Sequence, residues 1–337
     1  MMGQEKLRCA IVGCGGIAQV HAHALSRQPT AQLLAFADIK PERAQALAAQ
    51  YGGTAYASLE ELLAGETIDV LHICTPHYLH LPMAQAAAER GIHVFTEKPP
   101  VISHQQWQEF QLLEEKVRVG VCFQNRYNPS VQYARTLLDD GDAGRILGAR
   151  GVVTWRREAP YYTESGWRGD LATEGGGALI NQAIHTLDLM VRFLGPGKAL
   201  GASLSNHHLQ GVIQVEDTLE AAIDFSGARG LFFASTAYCT DAPVLLDIAC
   251  EHLSLRIEGE AVTARWADGR TTHRDFSLES QEGPGKSYWG SSHGRCIADF
   301  YDCLRTGQPF RNDTAGVADT IGLMLALYDA ARQGRQG

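Results

Sequence analysis

The residues best suited to chemistry lie in one stretch, 174–190, which opens on three glycines and continues with helical spacing. Asn181, His185 and Asp188 fall at i, i+4 and i+7, so we expect all three on one side of a helix. Most of the other positions of this helix are apolar, namely Leu179, Ile180, Ile184, Leu187, Leu189 and Met190, and Gly195-Pro196 predicts its end. A polar stripe on an otherwise buried helix needs partners, and we expect them to include a substrate hydroxyl presented to the helix by the first third of the chain.

A second candidate site is the segment Glu97-Lys98-Pro99-Pro100, where a charged pair follows a buried apolar strand. Lys98 could simply be a solvated loop lysine paired with Glu97. A lysine held rigidly at the ligand-binding end of a sheet is better suited to acid–base work. One strand earlier, Thr75-Pro76 interrupts the chain ahead of His80, which predicts a loop that lies against a ligand.

The elements that must position these groups begin with a strand, a glycine turn and a helix at residues 7–25. The turn carries G-x-G-x-x-A, the pattern that binds a dinucleotide when it stands between strand and helix. Gly13 permits the tight turn and Gly15 allows close approach of a pyrophosphate. The amides of Gly16 and Ile17, at the start of the helix, would bind the diphosphate.

Asp38 ends the second strand, twenty residues after the glycine turn, where a carboxylate would bind the adenosine ribose hydroxyls. Its alternative role is that of a turn or capping residue ahead of Pro41. Asp38 would also repel a 2′-phosphate, and Ile39 rather than an arginine follows it. NAD is therefore favoured over NADP as the cofactor, although Lys40 lies nearby.

The pattern of apolar segments predicts two domains. Strands alternate with helices through residues 1–123, which is typical of an NAD(P)-binding Rossmann domain with a doubly wound parallel sheet. Residues 124–337 contain a run of period-2 segments and predict an α+β domain with a large, open, mostly antiparallel sheet and C-terminal helices over 291–333. We assign substrate binding and oligomerisation to this second domain, as a homodimer or homotetramer through its sheet.

Composition excludes several functional classes. The net charge is −9 and no basic run occurs, which argues against nucleic acid as a partner. No run of 18 apolar residues occurs that could span a bilayer, so we expect no membrane partner. The eight cysteines are scattered without a C-x-x-C pair, and the histidines lack a carboxylate or cysteine at ligand spacing, so we predict reduced thiols and no metal. The first residues lack the pattern of a signal peptide, and we expect a cytoplasmic location.

Several motifs together resemble one known family. They are G-x-G-x-x-A at 13–18, Thr75-Pro76 followed by His80, Glu97-Lys98-Pro99, the segment 123–129, Trp167-Arg168, and Gly176-Gly177 followed by His185. In this order they resemble the glucose-fructose oxidoreductase, inositol dehydrogenase and rhizopine catabolism (Gfo/Idh/MocA) family over essentially the whole chain. Members are mostly NAD(P)-dependent oxidoreductases of sugars, cyclitols and nucleotide sugars, so the resemblance implies a polyol or sugar substrate.

The resemblance also implies roles for individual residues. Lys98 would be the catalytic acid/base near nicotinamide C4, and His185 would bind or deprotonate the reacting hydroxyl. Gln124 and Arg126 would lie near the cofactor, as would the residues of the Thr75 and Glu97 segments. Trp167 and Arg168 would reach the site from the second domain.

One departure from the family pattern affects the expected mechanism. Many members carry Asp four residues before the histidine, whereas this chain has Asn181, which offers only a neutral hydrogen bond. A positive nicotinamide ring favours the neutral form of a nearby lysine, so we expect Lys98 rather than His185 to be the main base. The alternatives are a redox-neutral, NAD-using glycosidase of the same family and a non-catalytic dinucleotide- and sugar-binding regulator.

Overall fold

The structure, a computed structural model, describes residues 6–279 and 292–334. The described strands are β1 Leu7–Val12, β2 Ala31–Ala37, β3 Thr54–Tyr56, β4 Val70–Ile73, β5 His93–Thr96, β6 Val119–Val121, β7 Ile146–Thr154, β8 Lys198–Ser205, β9 Thr218–Asp224, β10 Arg229–Ser235, β11 Leu245–Cys250, β12 Leu253–Glu258, β13 Ala261–Trp266 and β14 Thr271–Asp275. The described α-helices are α1 Gly16–Arg27, α2 Pro41–Tyr51, α3 Leu59–Gly65, α4 His80–Ala88, α5 His104–Gln111, α6 Pro129–Asp139, α7 Ala159–Thr163, α8 Leu171–Glu174, α9 Ile184–Leu194, α10 His293–Thr306 and α11 Thr314–Gly334.

These elements form two compact units. Within the described ranges, the first unit contains residues 6–124 and 292–317, and the second contains 125–279 and 318–334. The sequence predicts a single division of the chain, at 123/124, with all of 291–333 in the second domain. The structure differs because α10 packs on α1, so it belongs to the first unit. Residue 291 of the predicted helix and residues 335–337 lie outside the described residues.

The first unit is built on a six-stranded sheet in the order β3-β2-β1-β4-β5-β6, with every observed pair of neighbouring strands parallel. β4 and the last four residues of β1 are buried, and they are apolar apart from His72, as a parallel sheet covered by helices requires. The strand order reverses between β1 and β4, and ligands bind such sheets at the carboxyl ends of the strands beside this point. The predicted Rossmann fold is confirmed.

The second unit contains an eight-stranded sheet in the order β14-β13-β12-β11-β7-β10-β9-β8. Its strands pair antiparallel except β7 with β10, so the predicted mostly antiparallel sheet is confirmed. Burial alternates along β10, where Gly230 and Phe232 are buried and Leu231 is 63% exposed. One face packs on α9, since the Met190 side chain approaches Gly151 and Gly230. The other face carries the exposed side chains of Leu200 and Leu231.

The helix predicted around His185 has an unexpected backbone. Residues Ala178–Ala183 form a π-helical segment, and the α-helix α9 begins only at Ile184. The prediction of one regular helix with i, i+4 and i+7 positions on one side was therefore wrong. A π turn holds more residues than an α turn and changes the direction of the side chains that follow it. The predicted end of the helix is confirmed at Gly195.

Among the described residues, no helix combines the length and apolar character needed to cross a membrane.

Candidate functional site

The glycine turn after β1 has the geometry that a dinucleotide requires. Gly13 has φ +84°, and a Cβ there would lie 2.7 Å from the carbonyl carbon and oxygen of Cys74, so only glycine fits. At Gly15 an added Cβ would meet no atom within 4 Å, which leaves open space beside the start of α1. The first turn of α1 carries no acidic residue and no side-chain cap. The N-terminal amides of Gly16 and Ile17 therefore suit the diphosphate of a bound cofactor.

Asp38 supports this turn from the end of β2. Its Oδ2 accepts a hydrogen bond of 2.7 Å from the Cys14 amide, and its Oδ1 accepts one of 2.8 Å from the Lys40 amide. The bond to Lys40 is a local turn contact, as the alternative role of Asp38 predicted, although Asp38 does not cap α2. The bond to Cys14 ties the carboxylate to the glycine turn, so one side chain joins the carboxyl ends of β1 and β2. Ile39, beside it, is 88% exposed.

Lys98 follows the carboxyl end of β5 and is held through the backbone on both sides. The Lys98 amide donates to Glu97 Oε2 at 3.2 Å. The ring of His80 lies between two carbonyl oxygens, with Nδ1 2.7 Å from that of Pro99 and Nε2 2.8 Å from that of Thr75. His80 is fully buried and lies between the Thr75-Pro76 loop and the Lys98-Pro99 segment.

A buried chain of polar side chains extends from Glu97 into the core of the first unit. His21 Nε2 lies 3.0 Å from Glu97 Oε1, and His21 Nδ1 lies 3.0 Å from His72 Nδ1. His72 Nε2 in turn lies 3.1 Å from the hydroxyl of Tyr301 in α10. Sequence reasoning missed this chain, whose members come from α1, β4 and α10.

The chain sets the charge of Glu97. Burial alone would raise the pKa of Glu97, but the hydrogen bond and charge of His21 outweigh burial, with further help from His293 and Lys98, and lower it. Burial, reinforced by the charge of His21, lowers the pKa of His72 well below its ordinary value. Glu97 is therefore an ionised carboxylate and His72 a neutral ring. Since a carboxylate only accepts, His21 Nε2 carries the proton between them.

Cys122 lies beside this chain, and its Sγ, His21 and Glu97 place potential ligand atoms within 4.8 Å of one another. The three residues are distant in sequence, so no ligand spacing in the sequence indicates this group. Burial raises the pKa of Cys122 well above its ordinary value, which keeps the thiol protonated. The hydrogen bond between His21 and Glu97 already accounts for their close approach.

In the second unit, Glu216 caps the glycine-led segment. Its Oε2 accepts from the Gly177 amide at 2.8 Å and its Oε1 from the Leu179 amide at 3.1 Å. The Tyr328 hydroxyl donates to Oε1 at 2.9 Å. A Cβ on Gly177 would lie 1.9 Å from the Glu216 carbonyl oxygen, so glycine is required for this approach. The glycines therefore let a buried carboxylate cap the start of the helix, a role that requires no cofactor.

Asn181 and His185 are both partly exposed, and the structure supplies a partner for Asn181 that sequence reasoning missed. Asn181 Nδ2 donates to Glu174 Oε1 at 2.5 Å. The Glu174 Oε2 accepts from the Gly169 amide, also at 2.5 Å. The only sequence signal was a carboxylate directly before the glycines, and it gave no indication that the side chain turns inward.

Asp188 has partners within the second unit. Arg126 Nε donates to Asp188 Oδ2 at 2.8 Å and Arg126 Nη2 to Asp188 Oδ1 at 2.5 Å, with both side chains almost fully buried. Thr320 Oγ1 donates to the same carboxylate at 2.7 Å. These contacts give Asp188 a structural role within the second unit. Arg126, expected near the cofactor, has its guanidinium in this buried ion pair.

Aromatic and arginine side chains cluster in the loop after β7. The Arg168 guanidinium lies 4.6 Å from the ring centres of both Tyr161 and Trp167. The Tyr161 hydroxyl accepts from Gln182 Nε2 at 2.8 Å, which joins the loop to the π-helical segment. The structure thus brings Trp167 and Arg168 together with the Asn181 segment inside one unit.

Comparison with known families covers both units. Residues 7–124 match the family model described as an oxidoreductase family with an NAD-binding Rossmann fold, and residues 131–265 match the GFO/IDH/MocA C-terminal domain. The NAD-binding function of the first unit agrees with the open space at Gly15 and with the carboxylate of Asp38.

Curated relatives match over part of their length. A D-glucoside 3-dehydrogenase of Escherichia coli is 31% identical over 200 residues, which are 58% of this chain and 56% of the relative. An inositol 2-dehydrogenase of Rhizobium meliloti is 30% identical over 56% of this chain and 54% of the relative. The chain spans about half the length of the curated relatives it matches.

Solved structures match along the whole chain. The WlbA dehydrogenase of Bordetella pertussis, solved with NADH and UDP-GlcNAcA, is 28% identical with a TM-score of 0.84, over 98% of each chain. The two family models match consecutive parts of the chain, as the order of the motifs from Gly13 through Lys98 to His185 predicts. The structural similarity over nearly the full length agrees with this match. The chain belongs to the Gfo/Idh/MocA oxidoreductase family.

Proposed function

We propose that this chain is an NAD(P)-dependent dehydrogenase acting on CH–OH groups of a sugar, cyclitol or nucleotide sugar. The reaction would transfer a hydride between a substrate carbon and nicotinamide C4, the redox chemistry that the bound cofactor supplies. NAD is the proposed cofactor in preference to NADP, because Asp38 places a carboxylate at the end of β2 and is followed by Ile39 rather than an arginine. The names of the relatives, which include a glucoside and an inositol dehydrogenase, support the substrate class.

The observation that carries this proposal is the support of Lys98. Its backbone follows a buried strand, its amide donates to the ionised Glu97, and the Pro99 carbonyl oxygen lies 2.7 Å from Nδ1 of the buried His80. A general base must be held within hydrogen-bond reach of the proton it removes, and a backbone fixed on both sides restricts where the amine can go. We propose Lys98 as the acid/base that exchanges the hydroxyl proton.

In the second unit we propose that Asn181 and His185 orient the substrate hydroxyl. Both side chains are partly exposed, and both lie where the helix changes from π to α geometry. Such π segments occur frequently at functional sites. Trp167 and Arg168 would bind the substrate ring from the adjacent loop, where Arg168 is held between two aromatic rings.

The remaining proposed cofactor contacts follow from the glycine turn and the two loops at the strand ends. Gly13, Gly15, Gly16 and Ile17 would bind the diphosphate, and Thr75-Pro76 would lie against the nicotinamide ribose. We propose that His80 acts by joining the loops, since its ring is fully buried. Gln124, at the carboxyl end of the sheet, is proposed as a further cofactor contact, whereas the engagement of Arg126 by Asp188 supports a structural role.

Association and location are also proposals. The exposed Leu200 and Leu231 on the open sheet face support a homodimer or homotetramer through that face. All eight cysteines are free thiols, and six of them are buried, which supports a reducing, cytoplasmic environment.

The test is an NAD+ reduction screen with purified protein across sugars, cyclitols, sugar acids and nucleotide sugars, with NADP+ in parallel. We expect NADH to accumulate in proportion to one substrate class, with NAD+ preferred. Bond cleavage without net NADH would instead indicate the redox-neutral glycosidase. Binding of NAD+ and a sugar without any turnover would indicate the regulator, and either result would overturn the proposal.

A further inference from the structure

The Glu174 carboxylate is a fully buried group at the end of α8, directly before the glycines. Each of its oxygens accepts a hydrogen bond of 2.5 Å, Oε2 from the Gly169 amide and Oε1 from Asn181 Nδ2. Charge-assisted bonds of this kind are about twice as strong as neutral ones. The family pattern usually has a carboxylate at position 181, whereas here the carboxylate is contributed by Glu174 and contacts the amide that occupies that position.

This contact fixes the orientation of the Asn181 amide. A carboxylate offers only acceptors, so Asn181 must present its Nδ2 to Glu174. The Tyr161 hydroxyl lies 3.5 Å from the same Nδ2, on the donor side of the amide. The Oδ1 atom of Asn181 is therefore directed away from Glu174. Position 181 keeps an acceptor there, as an aspartate would.

We propose that Glu174 is a positioning residue, which holds the Asn181 amide so that its Oδ1 accepts the hydrogen bond of a substrate hydroxyl. The inference rests on the proposed function, because it assigns Asn181 to the substrate. It explains how the chain replaces the usual aspartate without losing an acceptor. A neutral acceptor orients the hydroxyl but does not take its proton, which leaves proton transfer to Lys98.

The charges around Glu174 make this orientation depend on pH. Burial raises the pKa of Glu174 to about 7, against the lowering effect of its bonds to Gly169 and Asn181. The charged or titratable groups that face it are Arg168 in the preceding loop, Glu216 before β9, Tyr162 in α7 and Tyr328 in α11. Below pH 7 the carboxyl gains a proton, one oxygen becomes a donor, and the Asn181 amide is no longer held in one orientation. Substrate affinity should therefore fall as the pH falls through about 7.

The test exchanges the two side chains. In Glu174→Gln, the glutamine Oε1 still accepts from the Gly169 amide, but its Nε2 faces Asn181. Because this Nε2 donates, the Asn181 amide rotates so that its Oδ1 accepts. Asn181 Nδ2, a donor, is then directed towards the substrate. In Glu174→Gln/Asn181→Asp, the glutamine Nε2 donates to the new carboxylate and an acceptor is restored at 181. Glu164→Gln is the control, since Glu164 is exposed in the same segment.

We expect Glu174→Gln to raise KM at least tenfold, with a smaller change in kcat, and to remove the rise of KM that the wild type should show as the pH falls through about 7. In the double variant KM should recover to within about threefold of the wild-type value. A pair that only stabilises the fold would not produce this recovery of KM. Equal behaviour of Glu174→Gln and Glu164→Gln, or a double variant no better than Glu174→Gln, would overturn the proposal.

A second measurement does not need turnover or a variant. The side-chain NH2 resonances of Asn181, observed by NMR in protein labelled at asparagine, should shift with a midpoint near pH 7 as Glu174 titrates. Resonances unchanged from pH 5.5 to 8.5 would contradict the contact with Glu174. A wild type that turns over no substrate but shows this titration would overturn the proposed function and leave the Glu174–Asn181 pair intact.

Discussion

His21 Nδ1 lies 3.0 Å from Nδ1 of His72, and both rings are fully buried in the first unit. Two imidazole nitrogens in contact require that one carries a proton and the other does not. This contact connects Tyr301 in α10 with Glu97 beside Lys98, so the lysine segment is supported by the core rather than by the surface.

The buried hydrogen-bonded side chains from Glu97 to Tyr301 predict a loss of protein stability in acid. The folded pKa values of His72 and Glu97 are both lowered, so each contributes stability that is present above its unfolded pKa and is lost as the pH falls. The loss begins near pH 6.5 for His72 and near pH 4.5 for Glu97.

Thermal unfolding from pH 7.5 to 4.5 measures this effect. His72→Asn should show a smaller fall in Tm between pH 7 and pH 5 than the wild type, whatever its Tm at pH 7. The control is His208→Asn, an exposed histidine whose removal should leave the slope unchanged. If Tm falls as steeply with pH in His72→Asn as in the wild type, protonation of His72 does not cause the loss of stability.

Asp38 should determine both cofactor affinity and cofactor choice. Asp38→Ser removes the acceptor of the Cys14 amide and the charge at the end of β2, so we expect the Kd for NAD+ to rise about tenfold, or about 1.4 kcal/mol. Asp38→Ser/Ile39→Arg should in addition bind NADP+ more tightly than NAD+. Calorimetric titration measures both constants.

The control for cofactor choice is Ile39→Ala, which shortens an almost fully exposed side chain without changing any charge. It should bind NAD+ as the wild type does. If Asp38→Ser binds NAD+ with unchanged affinity, Asp38 has only the turn role that its bond to Lys40 describes.

The pair formed by Asp188 and Arg126 should be essential for the stability of the second unit. Asp188→Asn leaves a buried guanidinium without its counter-charge, which costs about 3–5 kcal/mol. Thr320→Val removes only one hydrogen bond to the same carboxylate and should cost about 1 kcal/mol. Denaturant unfolding compares the two variants, and equal losses would contradict a dominant role for the ion pair.

The open sheet face should mediate self-association. Leu231→Asp places a charge on the exposed apolar face and should lower the molar mass measured by light scattering towards that of one chain. Leu278→Asp is the matched control, since Leu278 is exposed outside the sheet. If Leu231→Asp and Leu278→Asp keep the same assembly as the wild type, the chains do not associate through this face.

The sequence predicted the parallel sheet, the antiparallel sheet and most of their strands, because apolar periodicity follows directly from which faces are buried. It missed β14, whose five residues are all exposed and show no alternation. It missed β3 because three residues are too few to show a period. The π-helical segment was hidden because its cap, Glu216, comes 39 residues after Gly177.

The site was predictable where its residues are adjacent in sequence and hidden where they are not. The glycine turn and the Lys98 segment have local patterns. The support of Lys98 comes from His21, His72 and Tyr301. The contact between His72 and Tyr301 alone spans 229 residues of sequence, and no spacing rule joins the three. Glu174 lies close to Asn181 in sequence, yet only the folded backbone shows that its side chain turns inward.

The central claim is that Lys98, and not His185, is the main base of an NAD-dependent oxidation. The direct measurement is the turnover of Lys98→Ala and of His185→Ala with the substrate that the screen identifies, alongside the Kd for NAD+ of each. We predict that kcat falls by about 10² to 10⁴ in Lys98→Ala and by less in His185→Ala, with NAD+ affinity retained in both. A smaller fall in Lys98→Ala than in His185→Ala, with NAD+ binding intact, would contradict the assignment.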